Sequence, residues 1–362
     1  MTGCMHIEDE LKAFKERLDP KIGAYFDRVI EDTSKKDIFV TDALRYTKTL
    51  MLAGGKRLRA AFMYYGYLGA GGTREEQILE ASMSIEYTHI FLLVHDDIMD
   101  QDDMRHGVLT LHRQYADFGR VFLPEKNREH FGNSIALIVG DTLCAFGNDI
   151  LFSSDFPLER KFRALSKLQN IVSCTLIGQA NDIYMEYKGE ASEEEILAMY
   201  RNKTAKYTVE GPLHLGALLA GASQELLDGL SAYAIPLGIA FQIQDDILGI
   251  FGDAKRLGKP VGSDIHEGKI TLLVSRALRD GTKEQRRRLK QILSLGNDLT
   301  EKDILEFREL IMATGAFDGA ERLSAQYIEE GVRSLEVIRG KLTVRAYDFL
   351  FSVAEYMTKR EY

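Results

Sequence analysis

At 362 residues with 45% apolar content, the chain has material for one large core or two ordinary ones. A net charge of -9 and a pI near 5.5 exclude the basic face of a nucleic-acid scaffold, so an anionic ligand would need cations gathered locally. Cys4, Cys144 and Cys174 are too few and too scattered for a disulfide framework or a zinc site, which fits a reducing cytoplasm. The N-terminus has early acids and no apolar leader core, and no run reaches the ~18 apolar residues of a membrane span, so a soluble protein is expected. Only 6 prolines, long amphipathic patterns and almost no strand-type alternation predict an all-helical chain.

In chain order, Leu11, Phe14, Leu18, Ile22, Phe26 and Ile30 read as a first helix or helix pair, interrupted around Asp19 and Pro20. A second helix is expected over residues 40–52. A third runs to about Leu68 and is entered through Gly54, Gly55, Lys56, Arg57, Leu58 and Arg59. Glycines at a helix entry leave backbone N–H groups free, and neighbouring cations suit a phosphate. The same pattern also describes a helix C-cap followed by solvated charges. After a turn at residues 69–72, Thr73 and Glu76 form a capping-box signature for one long helix running down to Asp100.

The far end of that helix, HDDIMDQDDMRHG over residues 95–107, carries the most chemistry. Asp96 and Asp100 are spaced i and i+4 on one helix face, with Asp97 between them and the apolar run IFLLV just before. Carboxylates stacked at the end of a buried helix call for a cation. Hard oxygen ligands suit magnesium, which keeps water and phosphate oxygens in its remaining positions, so a diphosphate substrate follows. Alone, the run also reads as a solvated acidic helix end continued by Asp102 and Asp103. His89 lies two turns upstream on the same side; a lone histidine there is by default a hydrogen-bonded core residue.

A loop and a polar stretch at residues 124–128 lead to SIALIVGD, whose Asp141 is expected to need a partner, and then to a helix ending near Phe152. A long helix over residues 158–187 carries Gln179 and Asp182. The next contains Lys203, Thr204 and Ala205, and the chain is expected to turn at Gly211-Pro212. YAIPLGIAFQIQDDILGIF, residues 233–251, repeats the earlier device: a buried apolar helix reaching Asp245 and Asp246, with Gln242 one turn before. Lys255, Arg256, Lys259 and Lys269 then follow in a glycine-rich loop, which reads as a lid over a polyanion or as an ordinary surface loop. Four amphipathic helices near Glu284, Glu301, Phe317 and Val344 complete a chain read as one domain.

In combination, GGKRLR, YTHIFLLVHDD, DDIMD with Arg105, Gly140-Asp141, GQAND, KTA, FQIQDD, GKPVGSD and EGK resemble the trans-isoprenyl diphosphate synthases (polyprenyl synthetases) from about Gly54 to Leu273. The resemblance implies an all-α isoprenoid synthase fold of roughly a dozen helices around a central cavity, a homodimer, and head-to-tail prenyl transfer between isopentenyl diphosphate and an allylic diphosphate. It implies several magnesium ions per site, held by Asp96, Asp100 and Asp245 with Asp97 and Asp246 in support. Arg105, Lys203, Lys259 and Lys269 would hold the allylic diphosphate, and Lys56, Arg59 and His89 that of isopentenyl diphosphate. Thr204 and Gln242 would sit beside the developing cation, with Gln179 and Asp182 in the surrounding polar shell.

This chain departs from the family pattern at two positions. His106 stands where a second arginine is common, which makes the isopentenyl site weaker or pH-sensitive, and Gly249 stands where a third aspartate is frequent. By the same resemblance Phe91 and Leu92, just before the first acidic motif, form the floor of the tail pocket, and a single aromatic there points to a product of about twenty carbons, with farnesyl diphosphate second. A buried aromatic at that place also serves as plain packing. A class I terpene cyclase would share the aspartates and magnesium, but its Asn/Asp-Ser-Glu motif is missing from the sequence. An idle regulatory subunit would have shed acidic or basic positions that this chain retains.

Overall fold

Apolar side chains at three- and four-residue spacing give the chain its helices, and the computed structural model, which describes residues 6–252 and 262–358, is all-α as expected. In order come α1 (Ile7–Ser34), α2 (Ile38–Leu52), α3 (Leu58–Gly69), α4 (Glu75–Ala81) and α5 (Met83–Met99). A hairpin of two-residue strands, β1 (Met104–Arg105) and β2 (Val108–Leu109), precedes α6 (Leu111–Phe118) and α7 (Glu125–Ser153). Then follow α8 (Leu158–Lys188), α9 (Glu193–Tyr200), a π-helical segment (Arg201–Glu210), α10 (Gly211–Ala220) and α11 (Gln224–Phe251). The chain ends in α12 (Ser263–His266), α13 (Leu272–Asp280), α14 (Lys283–Leu293), α15 (Glu301–Ala313), α16 (Ala316–Ile338) and α17 (Val344–Thr358). Lys255, Arg256 and Lys259 lie outside the described residues.

Contacts divide the chain into two compact units. In the first, residues 1–68, 72–166 and 215–221, α5 and α6 pack on α7, and α1 packs on α2. Asp37 caps α2 by accepting from the Val40 N–H at 2.8 Å. The expected break at Pro20 does not occur, and α1 runs straight through it. An internal proline costs about 3 kcal/mol. Leu18, Ile22 and Phe26 are fully buried on either side of it, and burial of about 2 kcal/mol each outweighs that cost. The long helix expected from Thr73 to Asp100 is two helices parted at Ser82, and α4 starts after Arg74 with no side-chain cap, so the Thr73–Glu76 box is not formed. Residues 124–128, expected as a polar lead-in, begin α7, and the loop before them contains α6.

In the second unit, residues 69–71, 167–214 and 222–362, α11 packs along α16 and the π-helical segment. An apolar core of Tyr200, Ile243, Ile247, Leu272, Leu289 and Phe307 fills its interior. Ser192 caps α9 in a full capping box with Glu195. The expected turn at Gly211-Pro212 is absent. The Gly211 N–H donates to the Lys206 carbonyl, five residues back, and α10 continues directly, with the donorless Pro212 at the change of register. By length and hydropathy both α7 and α11 could cross a membrane; α11 is mostly buried, whereas α7 leaves Leu137 and Ile138 exposed.

Where the π-helical segment meets α10, a buried polar knot forms. Lys167 donates to Glu210 at 3.1 Å, Ser231 donates to Glu210 at 2.7 Å, and His214 Nε2 lies 2.9 Å from the Leu227 carbonyl oxygen. That oxygen only accepts, so Nε2 carries a proton and donates it. Burial, with Lys167 nearby, pushes His214 down to about 4. An unfolded histidine titrates near ~6.5, so the unfolded chain binds more protons below that pH. Stability is therefore expected to fall as pH drops from about 6.5 to about 4, and His214→Gln should flatten that part of a urea-midpoint against pH curve.

Candidate active site

The first acidic motif is sorted by helix geometry. The Asp100 N–H donates to the Asp96 carbonyl at 2.8 Å, which stacks the two residues one turn apart, and both are partly exposed. Asp97 points elsewhere: it is fully buried, and its Oδ1 accepts from Arg105 Nε at 2.6 Å. Burial pushes the Asp97 carboxyl up to about 6 although Arg105 pulls it down. Its second oxygen, Oδ2, has no hydrogen-bond partner among the described residues. Breaking a buried pair of this kind typically costs about 3–5 kcal/mol. Asp97 thus fixes the guanidinium that the β1–β2 hairpin carries, leaving Asp96 and Asp100 as the oxygen donors. Two adjacent, partly exposed carboxylates of this type fit a hard divalent cation.

A set of cations gathers in the same unit. Gly55 and Arg57 both have left-handed backbone, at φ +85° and +56°. For Arg57 that conformation costs about 1–2 kcal/mol. It is held by a side chain folded inward onto Asp19 at 2.7 Å, the Met51 carbonyl at 2.8 Å and Glu86 at 3.6 Å. Glu86 in turn accepts from the Ala60 N–H at 3.1 Å, joining the loop to the first turn of α3. Lys15 donates to the carbonyls of Gly55 at 3.0 Å and Gly54 at 3.4 Å. The His106 ring lies directly on Gly54, where a Cβ would come within 2.5 Å of it, so this glycine permits the close approach.

Arg59 Nη1 lies 3.2 Å from His89 Nε2; a guanidinium can only donate, so Nε2 accepts and His89 is neutral. Burial and the nearby Arg59, Arg105, Arg57 and His106 hold His89 well below its ordinary value. His106 is lowered in the same way, by burial and then by Arg105, Arg57 and Lys15. Lys56 is exposed at the loop tip. Phe91 is buried with its ring edge-on to His95, and Leu92 is half-buried. Asp141, expected to be buried and in need of a partner, is exposed at the surface 3.9 Å from His95.

In the second unit the π-helical segment presents consecutive residues to two different helices. Lys203 Nζ donates to Asp182 of α8 at 2.5 Å, and Thr204 Oγ1 donates to Gln242 of α11 at 2.6 Å. Lys269 Nζ sits 3.8 Å from Asp182, 3.7 Å from Glu186 and 3.5 Å from Glu267. Burial alone would raise Asp182, but Lys203 and Lys269 outweigh it and keep the acid ionised. Gln179, one turn earlier on α8, is buried. Gln242 Nε2 donates to Asp246 at 2.8 Å; Asp246 is buried and pushed well above the carboxylate range by desolvation, whereas Asp245 is partly exposed. A Cβ at Gly249 would lie 2.3 Å from Asp264 Oδ2, so the Asp264 carboxylate already occupies the space beside Gly249.

The roles of Lys15, Arg57 and Asp264 escaped the sequence reading. The GSD motif named Asp264 without giving it a task, and the basic run named Arg57 as one more cation. Nothing in the sequence ties Lys15 to a glycine loop some forty residues away.

Residues 41–311 match the family model described as polyprenyl synthetase, and the chain belongs to that family. It is a prenyltransferase with the isoprenoid synthase fold. A curated geranylgeranyl diphosphate synthase from Methanosarcina mazei is 33% identical over 360 residues, covering 99% of each chain. A geranylfarnesyl diphosphate synthase from Aeropyrum pernix is 35% identical over 284 residues, 77% of this chain and 82% of its own length. Among solved structures, a geranylgeranyl pyrophosphate synthase from Corynebacterium glutamicum, complexed with isoprenyl diphosphate and magnesium, aligns with a TM-score of 0.90 at 33% identity, covering 97% of this chain and 99% of that one.

The wide π-helical turns depend on small neighbours. A Cβ at Gly178 would lie 2.4 Å from the Lys203 backbone nitrogen, and one at Gly238 would lie 2.4 Å from the Ala205 Cα. Gly→Ala in an unconstrained helix interior gains about 0.5–1 kcal/mol. Here the backbone must yield, so Gly178→Ala is expected to lose about 1–3 kcal/mol in urea unfolding, a reversal of sign that reports the close approach.

Proposed function

We propose that the chain is a magnesium-dependent short-chain isoprenyl diphosphate synthase that joins isopentenyl diphosphate to an allylic diphosphate head to tail, with geranylgeranyl diphosphate as the main product. The observation that carries this reading is the pairing of a carboxylate face, Asp96 and Asp100, with a guanidinium locked by Asp97, in the same unit as the Arg59–His89 cation cluster. Asp96, Asp100 and Asp245 would hold several magnesium ions, with Asp97 and Asp246 behind them. Bound there, magnesium draws charge from the departing diphosphate.

Arg105, Lys203, Lys269 and Lys259 hold the allylic diphosphate. Asp182 holds Lys203 and Lys269 in place until an anion competes for them. Lys56, Arg59, His89 and His106 hold the diphosphate of isopentenyl diphosphate. Neutral His89 and His106 donate hydrogen bonds without adding to the repulsion among the neighbouring cations. Thr204 and Gln242 place oxygen dipoles beside the allylic cation that forms when the carbon–oxygen bond breaks. The isopentenyl double bond attacks that cation, and the released diphosphate takes the proton lost from the adduct. Water must be excluded throughout, or the cation is quenched.

Phe91, buried at 5% exposure five residues before Asp96, closes the tail pocket at about twenty carbons. The exposed apolar residues Leu137, Ile138 and Phe152 on α7 are suited to a second copy of the chain, which supports a homodimer. Half-buried, unpaired Cys144 and Cys174 support a reducing cytoplasm.

Purified protein incubated with isopentenyl diphosphate and each allylic diphosphate should yield linear diphosphates only when magnesium is present. Cyclised hydrocarbons, or no product from any primer, would overturn the proposal. Asp96→Ala and Asp100→Ala are each expected to lower kcat/KM about a thousandfold, the loss of roughly 4 kcal/mol of transition-state stabilisation. Phe91→Ala should shift the products to longer chains by mass spectrometry; an unchanged length distribution would remove Phe91 from the pocket.

A further inference from the structure

Thr204 and Gln242 face a reacting centre on this reading, yet both are flexible polar side chains, and dipoles stabilise a cation only when they are fixed in advance. The second unit contains a continuous hydrogen-bonded chain that fixes them. Thr204 Oγ1 donates to Gln242 Oε1 at 2.6 Å, and Gln242 Nε2 donates to Asp246 Oδ1 at 2.8 Å. The Tyr200 hydroxyl donates to the other oxygen, Asp246 Oδ2, and itself accepts from the Leu272 backbone N–H at 2.9 Å. Tyr200 is 1% exposed, Leu272 is fully buried, and Asp246 is 4% exposed, so water does not compete for these bonds. The chain ends on a backbone amide at the first residue of α13, a helix capped by the Thr271 side chain and therefore rigid at that point.

We infer that Tyr200 is a positioning residue that ties the Asp246–Gln242–Thr204 chain to the α13 backbone and so sets the orientation of the cation-facing dipoles. The amide direction is read from the bonds along this chain. The Leu272 N–H donates to the Tyr200 oxygen, the tyrosine hydroxyl donates to Asp246 Oδ2, and Asp246 Oδ1 accepts from the amide nitrogen of Gln242. That leaves the Gln242 oxygen directed at Thr204. Without the tyrosine hydroxyl, Asp246 is free to turn, the Gln242 amide can flip, and an N–H₂ group would then face a positive charge. Tyr200 lies at the last turn of α9, where the ladder widens into the π-helical segment, so the same residue holds the helix that carries Lys203 and Thr204.

This inference rests on the prenyl-transfer reading, and its test separates the two. Tyr200→Phe keeps the ring and removes one oxygen. It is expected to lower kcat ten- to a hundredfold, to leave the KM for isopentenyl diphosphate within twofold, and to raise the share of allylic substrate ending as free alcohol. A double variant with Gln242→Leu should be no slower than Gln242→Leu alone, because both changes act on one chain of bonds. Leu272→Pro removes the same bond from the other side, at a first helical position that tolerates proline, and should move the alcohol share in the same direction even if the phenylalanine variant folds poorly. Losses that multiply in the double variant, or an alcohol share unchanged in both single variants, would overturn the tether while a normally elongating wild type leaves prenyl transfer standing. A wild type that forms no linear product would remove both.

Discussion

A site for a doubly charged leaving group needs acids for the metal and cations for the phosphates, and opposite charges placed that close tend to neutralise one another. The protein meets this constraint by burying an acid in each unit and assigning it to a cation. Asp97 takes Arg105 in the first unit, and Asp182 takes Lys203 in the second. Asp96, Asp100 and Asp245 are left partly exposed. Each buried acid is costly unless paired, and each pairing fixes the direction in which a long, flexible cation points. Arg57 carries the idea furthest: its charge is turned wholly inward to stiffen the loop from which Lys56 and Arg59 project.

Much of this was legible in the sequence, and the reasons differ from residue to residue. Apolar periodicity located the helices, since burying one face is what keeps a helix folded. Stacking of Asp96 on Asp100 follows from 3.6 residues per turn, and the same geometry sends their neighbour Asp97 round the helix into the interior. The Arg59–His89 contact joins residues thirty positions apart, which no local pattern reports. Pro20 misled because the rule against internal prolines concerns hydrogen bonds, while the outcome in α1 was decided by the apolar residues packed on either side. Ser82 was missed because the apolar pattern continues across the break. Asp141 misled because α7 leaves one apolar face uncovered, so an acid within an apolar run was already at the surface.

The π-helical segment was illegible for another reason. Its sequence, RNKTAKYTVE, has ordinary helical propensities; what widens it is the neighbourhood. Glycines at 178 and 238, on two other helices, bring backbone within reach of Lys203 and Ala205. Ten residues of five-step ladder direct Lys203 to α8 and Thr204 to α11 from adjacent positions. An unstrained α-helix would also separate those two side chains, but it would not bring the Lys203 backbone so close to α8. The irregularity is a tertiary property recorded in glycines far away along the chain.

Gly249 and Asp264 carry a consequence for how such sites can diverge. One volume beside α11 holds a carboxylate that arrives from α12, so any side chain at position 249 would meet the Asp264 oxygens. An acid introduced at 249 would share that space with Asp264, and the two like charges would need a cation or a proton between them. Position 249 is thereby tied to position 264, and a change at either alters what the other can hold.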